Sequence, residues 1–204
     1  MGEETGRRSW LIVGLGNPGE AYAGTRHNVG FRVVAGVTKA AGAAFTGPAG
    51  NALWARARLG RELVMLLQPQ GFMNASGPPV AAWLEALGLQ PERLLVVADD
   101  LDLEVGRVKV ASGGGDAGHR GLRSIAEGLG TQGFLRVRVG IGRRPAGEDA
   151  AAYVLSPPPP AEAEALRAGE VLAAEAVRAV GAEGPAAAMN RFNPWPVAAA
   201  PSDQ

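Results

Sequence analysis

The sequence has no cysteine and only two histidines among its 204 residues. Without thiols the chain cannot form disulfides or thiolate metal sites, and His27 and His119 are too few for a cluster of several histidine ligands. The lack of cysteine fits a reducing compartment. These absences exclude disulfide-stabilised scaffolds and zinc sites built from cysteine or from several histidines.

Long apolar runs are also missing, so we expect no membrane span. Met1–Ser9 is short and charged and lacks the apolar core of a signal peptide. The apolar fraction of 47% and the length fit one well-buried domain. We expect this domain to occupy residues 1–193 and to be followed by a flexible tail at 194–204.

The net charge is zero, but acidic and basic residues are unevenly distributed. The segment from Glu104 to Arg144 has eight basic and three acidic residues, whereas the segment from Pro145 to Gly184 has two basic and seven acidic residues. A basic segment of this kind can accept an anion. Two ordinary solvated faces explain the same pattern, and on charge alone that explanation is favoured.

Apolar periodicity predicts alternating strands and helices. Strands are expected at 10–13, 53–59, 62–67, 94–98, 107–110 and 135–141, and helices at 28–41, 79–87, 122–129 and 161–180. The second and third of these strands form a hairpin joined at Gly60 and Arg61. This order predicts a single α/β domain with a mixed sheet and helices on both of its faces. Polar segments follow several strands, where open α/β sheets bind ligands.

The segment Gly14–Gly19 (GLGNPG) matches the G-x-G-x-x-G fingerprint of dinucleotide-binding turns. That site also needs a helix that starts in the turn and an acid about twenty residues later for the ribose. Residues 20–30 show no apolar stripe, and no acid occurs between Glu20 and Glu62. The match is therefore accidental, and we expect the turn to present Asn17, which the following proline holds extended. No P-loop pattern is present either.

Two further stretches contain polar residues near strand ends. Gly71–Gly77 (GFMNASG) lies between a strand and a helix, and its Asn74 either caps that helix or faces a cleft. Val96–Leu103 (VVADDLDL) ends a buried strand in three acids, which are costly to bury unless they are paired. Asp99 is nearest the strand end and is therefore best placed to face a cleft. For Asp100 or Asp102, a turn with solvent-exposed acids is a sufficient explanation. Metal binding by the three acids is a further alternative, although the sequence shows no further set of ligands for it.

The stretch Gly113–Leu122 (GGGDAGHRGL) leads into a helix. Its glycines allow a ligand to approach the backbone closely, and a helix N-terminus attracts anions. A flexible loop is the alternative explanation.

A histidine, a strand-end aspartate and several asparagines can hydrolyse an ester or amide without a cysteine nucleophile. If Asp99 accepts a hydrogen bond from one ring nitrogen of His27, the other nitrogen is free to take a proton from water. The amides of Asn17 and Asn74 can donate to a developing oxyanion. From residue types alone this chemistry is one of several possibilities, because Asn17 and His27 also suit purely structural roles.

A set of longer motifs is more specific. The segments are LIVGLGNPGEAYAGTRHNVGF (Leu11–Phe31), GFMNASG (Gly71–Gly77), ADDLDL (Ala98–Leu103), GDAGHRGLRSI (Gly115–Ile125), FLRVRVGIGRRP (Phe134–Pro145), YVLSPP (Tyr153–Pro158) and AMNRFN (Ala188–Asn193). In type and order this set resembles bacterial peptidyl-tRNA hydrolases, and it covers nearly the whole chain.

The resemblance implies a hydrolase that cleaves the ester between the peptide C-terminus and the 3′ ribose of tRNA, which recycles tRNA from abandoned translation. It implies a cytoplasmic monomer with a single α/β domain, no cofactor and no metal, acting on the acceptor stem and CCA end of peptidyl-tRNA. By motif position, His27 corresponds to the catalytic base and Asp99 to its partner. The implied substrate-binding residues are Asn17, Tyr22, Met73, Asn74, His119 and Arg120, and the implied phosphate-binding residues are Lys109 and Arg138.

The chain departs from the family pattern at a few positions. Arg120 stands where the family usually has asparagine, and an arginine there could bind a phosphate instead. Asp116 adds a negative charge to the glycine loop, close to the expected RNA path. Ala111 stands where the family often has a second basic residue, and FLRVRVGIGRRP has one arginine more than usual.

Two other functions remain open at the level of sequence. An RNA-binding relative of the same fold need not keep His27, Asp99, Asn17 and Asn74 together, and this chain has all four. A small-molecule hydrolase could use the same histidine–aspartate pair, but it gives no reason for the basic segment from Glu104 to Arg144.

Overall fold

The computed structural model describes residues 10–194, so Met1–Ser9 and nearly all of the expected tail lie outside the described residues. Its strands are β1 (Trp10–Gly14), β2 (Thr46–Ala49), β3 (Ala52–Leu59), β4 (Glu62–Pro69), β5 (Leu94–Asp100), β6 (Val108–Ser112) and β7 (Leu135–Gly140). Its helices are α1 (Glu20–Ala23), α2 (Val29–Ala40), α3 (Gly77–Ala86), α4 (Arg120–Leu129), α5 (Ala150–Val154), α6 (Pro160–Glu183) and α7 (Pro185–Phe192). Short 3-10 turns lie at Arg26–Asn28, Met73–Ala75 and Pro91–Arg93.

The seven strands of the described range form one mixed sheet in the order β2-β3-β4-β1-β5-β7-β6. Strands β4, β1, β5 and β7 run parallel to one another. Strands β2, β3 and β6 add antiparallel pairs at the two sides. The predicted α/β fold with a mixed sheet is therefore confirmed, and the β3–β4 hairpin turns at Gly60 and Arg61 as expected.

Helices cover both faces of the sheet. Successive strand residues point to opposite sides, so each buried strand gives apolar side chains to both faces. On one face Ile12 and Val97 pack in a core with α2, α6 and α7. On the other face Leu11 and Val96 pack with α3 and α4. Among the helices of residues 10–194, none combines the length and the hydropathy of a membrane-spanning segment.

Short elements and element ends differ from the sequence prediction. Strand β2 and helices α1, α5 and α7 were not predicted, because four to eight residues carry too little periodicity to be distinguished from a loop. Strand β5 continues through Asp99 and Asp100, which the sequence placed after the strand. Backbone pairing with β7 extends over both acids, in register with Val139 and Gly140.

The glycines of the GLGNPG turn allow helix α2 to pack closely on β1. A Cβ atom added at Gly14 would collide with the backbone of Gly30, and one added at Gly30 would collide with backbone atoms of Leu15 and Val97. A Cβ atom at Gly16 would stand 2.6 Å from the ring of Phe31. These glycines are thus needed for the close contact between α2 and β1.

Candidate active site

A cleft of about 430 Å³ opens at the edge of the sheet where the parallel strands end. Its polar wall comes from segments that follow or end β1, β4 and β5 and from the loop before α4. The predicted residues that line it are Asn17, Tyr22, His27, Met73, Asn74, Asp99, His119, Arg120 and Arg138. Of the predicted site residues, only Lys109 is outside this lining. The tertiary structure thus gathers residues that are up to 121 positions apart in the sequence.

His27 and Asp99 form a buried hydrogen-bonded pair. His27 lies in the 3-10 turn before α2, and its Nδ1 is 2.8 Å from Oδ1 of Asp99 near the end of β5. Asp99 is 5% exposed. With Nδ1–H donating to the carboxylate, Nε2 of His27 holds the lone pair that can accept a proton.

His119 approaches the same carboxylate oxygen from the other side. Its Nε2 is 2.9 Å from Oδ1 of Asp99. Its Nδ1 accepts hydrogen bonds from the backbone N–H groups of Gly121 and Leu122, at 3.1 and 3.3 Å, so His119 caps the N-terminus of α4. Because Nδ1 is an acceptor, the proton of the neutral ring is on Nε2, which donates to Asp99.

The two histidines keep Asp99 ionised. Burial raises the pKa of Asp99, but the favourable charge interactions and hydrogen bonds of His119 and His27 outweigh burial and hold the pKa well below its ordinary value of 3.8. The ionised carboxylate accepts hydrogen bonds from both rings through the same oxygen. The geometry therefore suits a His27 that gains and loses a proton at Nε2.

The same three side chains are the one described group of histidines and acids whose atoms could hold a metal ion, within 4.8 Å of one another. The hydrogen bonds disfavour that use. A metal on Nε2 of His119 would need a lone pair where the ring carries its proton, since Nδ1 already accepts two N–H groups. A metal on Nδ1 of His27 would displace the proton that bonds Asp99. The donor set fits hydrogen bonding better than metal coordination.

Asn17 is fixed in the cleft by three hydrogen bonds. Its backbone N–H donates to Oδ1 of Asn28 at 2.9 Å, and Nδ2 of Asn28 donates to its carbonyl at 2.8 Å. Its own Oδ1 accepts the backbone N–H of Met73 at 2.8 Å. This leaves Nδ2 of Asn17 as the donor that the side chain can offer to a substrate. Asn28 is a site residue that sequence reasoning missed, although it follows His27 in the same motif.

Asn74 does not cap the following helix. It lies in the 3-10 turn Met73–Ala75, whereas α3 begins at Gly77 with Ser76 in front of it. The Asn74 side chain is exposed to the cleft, and within residues 10–194 it has no hydrogen-bond partner. The alternative of a capping residue is therefore wrong, because the intervening turn moves Asn74 away from the helix end.

The other side of the cleft is apolar and was largely missed from sequence. Phe72 is 61% exposed and meets the ring of Tyr22 edge to face, with 6.4 Å between ring centroids. Leu101, Val154 and Leu155 continue this wall. Phe72 belongs to the GFMNASG motif, and Val154 and Leu155 belong to the YVLSPP motif. Their residue types alone do not indicate that these side chains line the same cleft as Asn17.

Arg26 joins the histidine turn to that apolar wall. Its guanidinium lies 4.3 Å from the centre of the Tyr153 ring and donates to Oγ of Ser156 at 2.7 Å. A further bond reaches Glu162 at 3.1 Å. Arg26 precedes His27 directly, so these contacts fix the position of α5 relative to the catalytic pair.

The glycine loop before α4 is held by side-chain contacts. Arg136 is buried and donates to the carbonyl groups of Gly113 and Gly114. Asp116 accepts from Arg123 at 3.0 Å and from the N–H of Gly118 at 2.7 Å, and both contacts lower its pKa. The negative charge of Asp116 is thus balanced within the protein. The expected anion site at the helix N-terminus is occupied by the His119 ring, which accepts the N–H groups of that turn.

Basic residues of β6 and β7 lie next to each other at one side of the cleft. Lys109 and Arg138 are directly opposite in the antiparallel pair. Lys109 is exposed, whereas Nε of Arg138 is 2.8 Å from Oδ2 of Asp100. Asp100 is buried, so a solvated turn does not explain this acid and the expectation holds only for the exposed Asp102. The ion pair with Arg138 offsets the cost of burying the Asp100 charge.

The sequence is similar to those of a known protein family. Residues 11–200 match the sequence model of the family described as peptidyl-tRNA hydrolase. A peptidyl-tRNA hydrolase from Cutibacterium acnes is 41% identical over 91% of this chain and 98% of its own length. One from Chloroflexus aggregans is 47% identical over 91% of this chain and 99% of its own length.

Solved structures show the same likeness. The crystal structure of peptidyl-tRNA hydrolase from Acinetobacter baumannii superposes with a TM-score of 0.86 at 33% identity. The superposition covers 93% of this chain and 96% of that chain.

Proposed function

The chain belongs to the peptidyl-tRNA hydrolase family, and we propose that His27 is the general base with which it hydrolyses the ester between a peptide and the 3′ ribose of tRNA. The observation that carries this role is the 2.8 Å contact of His27 Nδ1 with the buried Asp99 carboxylate. That contact leaves Nε2 facing the cleft as a proton acceptor.

Hydrolysis then proceeds in two steps. Nε2 of His27 removes a proton from water as the water oxygen bonds to the ester carbonyl carbon, and Asp99 stabilises the resulting imidazolium. The tetrahedral intermediate collapses when the bond to the ribose 3′ oxygen breaks, and the imidazolium returns its proton to that oxygen. The products are a tRNA with its 3′ hydroxyl restored and a peptide with a carboxylic acid, which releases its proton to solvent and becomes the carboxylate.

Two amides are suited to the negative charge that develops on the carbonyl oxygen. Asn17 has its Oδ1 occupied by Met73 N–H, which directs its Nδ2 donor to the substrate. Asn74 is exposed in the same cleft. Such donors act most strongly when they are held in place before the reaction, which supports Asn17 as the better-fixed donor.

The remaining cleft residues suit the two ends of the substrate. Met73, Tyr22 and Phe72 offer apolar surface to the peptide portion, and His119 supports the catalytic carboxylate. Lys109 and Arg138 form a cationic pair for phosphates of the tRNA acceptor stem, and Arg120 faces the RNA 3′ end. We also propose that the protein acts as a monomer in the cytoplasm, together with its tRNA substrate.

Release assays test this function. N-acetyl-aminoacyl-tRNA and free aminoacyl-tRNA are incubated with the wild-type protein and with His27→Ala, and release is measured for each. We expect wild-type protein to cleave the blocked form selectively. His27→Ala should lose at least about a hundredfold in rate while binding tRNA normally. Undiminished turnover by His27→Ala would contradict the assignment of the base, and binding without any release by the wild type would indicate a pure RNA-binding protein.

A further inference from the structure

The cleft wall contains two arginines whose surroundings differ. Nε of Arg138 lies 2.8 Å from Oδ2 of Asp100, so part of its charge is offset inside the protein. Arg120 is exposed, and between Trp10 and Pro194 no residue forms a hydrogen bond or an ion pair with its side chain. Arg120 is therefore the arginine of the described cleft lining that no protein acid pairs, so its whole guanidinium is available to a ligand.

The acids of the cleft do not neutralise Arg120. Asp99 accepts hydrogen bonds from two histidines, and Asp100 is paired with Arg138. Asp116 lies in the same loop as Arg120, but its carboxylate is bound by Arg123. The guanidinium of Arg120 thus presents an unbalanced positive charge to the cleft.

Helix stability does not explain an arginine at this position. Arg120 is the first residue of α4, where the helix dipole is positive and a cation is unfavourable. The backbone N–H groups of Gly121 and Leu122 already donate to His119. An anion that approaches this end of α4 from the cleft would therefore be bound by the side chain of Arg120.

We propose that Arg120 binds the phosphate that joins the last two nucleotides of the substrate's RNA strand. This inference rests on the proposed function, because the ester on the last ribose must lie at His27. The 5′ phosphate of that same nucleotide is the phosphate nearest to the ester. Arg120 directly follows His119, which shares a carboxylate oxygen with His27, so its side chain starts beside the catalytic group. A guanidinium matches two phosphate oxygens at once.

Substrates with and without this phosphate test the proposal. One substrate is an N-acetyl-aminoacyl ester of adenosine, which has no phosphate. The second is the same ester on the dinucleotide CpA, which has the single phosphate in question, and the third is N-acetyl-aminoacyl-tRNA. The kcat/KM of each is measured for wild type, Arg120→Ala, Arg120→Lys and the control Arg56→Ala. Arg56 is an exposed arginine of β3 outside the cleft lining, so its loss changes the net charge equally.

In Arg120→Ala the ratio of kcat/KM on the CpA ester to kcat/KM on the adenosine ester should fall about tenfold below the wild-type ratio, and so should the corresponding ratio for tRNA. The kcat/KM of Arg120→Lys on the CpA ester should lie between those of wild type and Arg120→Ala, because lysine keeps the charge but lacks the planar guanidinium. The salt dependence of kcat/KM on the CpA ester should become shallower by about 0.7 in Arg120→Ala. Arg56→Ala should match wild type on both short esters.

Equal losses of Arg120→Ala on the adenosine and CpA esters would overturn the proposal, since the contact would then be to the peptide or the nucleoside. Undiminished kcat/KM on the CpA ester would overturn it as well. Both results keep the proposed function intact, because the wild-type protein still cleaves the esters. A wild-type protein that cleaves no blocked ester would instead refute the function itself. Thermal unfolding of Arg120→Ala should occur at or above the wild-type temperature, which excludes misfolding as a cause of lost activity.

Discussion

His119 donates to the Asp99 oxygen that also accepts the hydrogen bond of His27, at 2.9 and 2.8 Å. The ring of His119 simultaneously caps α4 through its other nitrogen. The catalytic carboxylate is thereby fixed between a turn that precedes α2 and the start of α4. A single histidine combines a structural role in the helix with the orientation of the acid.

Substitutions of His119 should separate these two roles. His119→Ala removes both, so we expect a loss of about 1 kcal/mol in unfolding free energy and at least about a tenfold loss in kcat. His119→Asn retains a side chain that caps helices well but is too short to serve Asp99 in the same way. His119→Asn should unfold near the wild-type denaturant midpoint, but its kcat should be as low as that of His119→Ala. Full activity in His119→Asn would show that the cap alone matters.

Asp99→Asn should lower kcat by at least about a hundredfold. The new amide can donate to Nδ1 of His27, which would place the ring proton on Nε2 and remove the base. In the residual activity, the acid limb of the pH–rate profile should move to lower pH, because a protonated imidazole loses its negative partner. Rates measured across the pH range in wild type and variant check both effects. A profile that keeps its shape and position would argue against the pairing.

The lowered pKa of Asp99 also predicts how stability depends on pH. Its folded-state pKa lies below the ordinary 3.8, so the ionised carboxylate stabilises the folded state at every pH above that value. The contribution should disappear as the pH falls from 3.8 through the folded-state pKa. Denaturant unfolding of wild type and Asp99→Asn should therefore show a constant difference at higher pH that shrinks only under strong acid. A difference that shrinks near neutral pH would point to a histidine instead.

Two glycines of α2 provide a matched test of the close helix–strand contact. Gly30→Ala would place a Cβ atom less than 3.0 Å from backbone atoms of Leu15 and Val97, and backbone cannot yield as a side chain can. We expect a loss of about 3 kcal/mol or more in unfolding free energy. Gly36→Ala in the same helix meets no atom within 4 Å and should gain up to about 1 kcal/mol from helix propensity. Similar effects of the two substitutions would refute the packing argument.

Lys109 on β6 and Arg138 on β7 should contribute equally to tRNA binding, but only Arg138 should contribute to the stability of the fold. Lys109→Ala and Arg138→Ala should each make the salt dependence of tRNA binding shallower by about 0.9. Only Arg138→Ala leaves the buried Asp100 carboxylate without its ion-pair partner, at a cost on the order of 3 kcal/mol in unfolding free energy. Adding Asp100→Asn to Arg138→Ala should recover part of that loss. A salt slope that stays at the wild-type value would show that the substituted residue touches no phosphate.

The amino-acid sequence by itself determined the long elements, the mixed α/β fold and the residues with chemistry to offer. Periodicity is a local property, so the β3–β4 hairpin and helix α2 were predictable from their own residues. The missing acid after the GLGNPG turn was enough to exclude a dinucleotide. Ordered motifs also identified His27 and Asp99 as partners before any distance was known.

Only the tertiary structure decided how those residues are used. Hydrogen bonds between distant segments are not encoded in local spacing, so the shared oxygen of Asp99, the fixation of Asn17 by Met73 and the pairing of Asp100 with Arg138 all emerged from folding. The same holds for Arg120. Its charge is visible in the sequence, but its availability depends on which acids the fold has already paired with other groups.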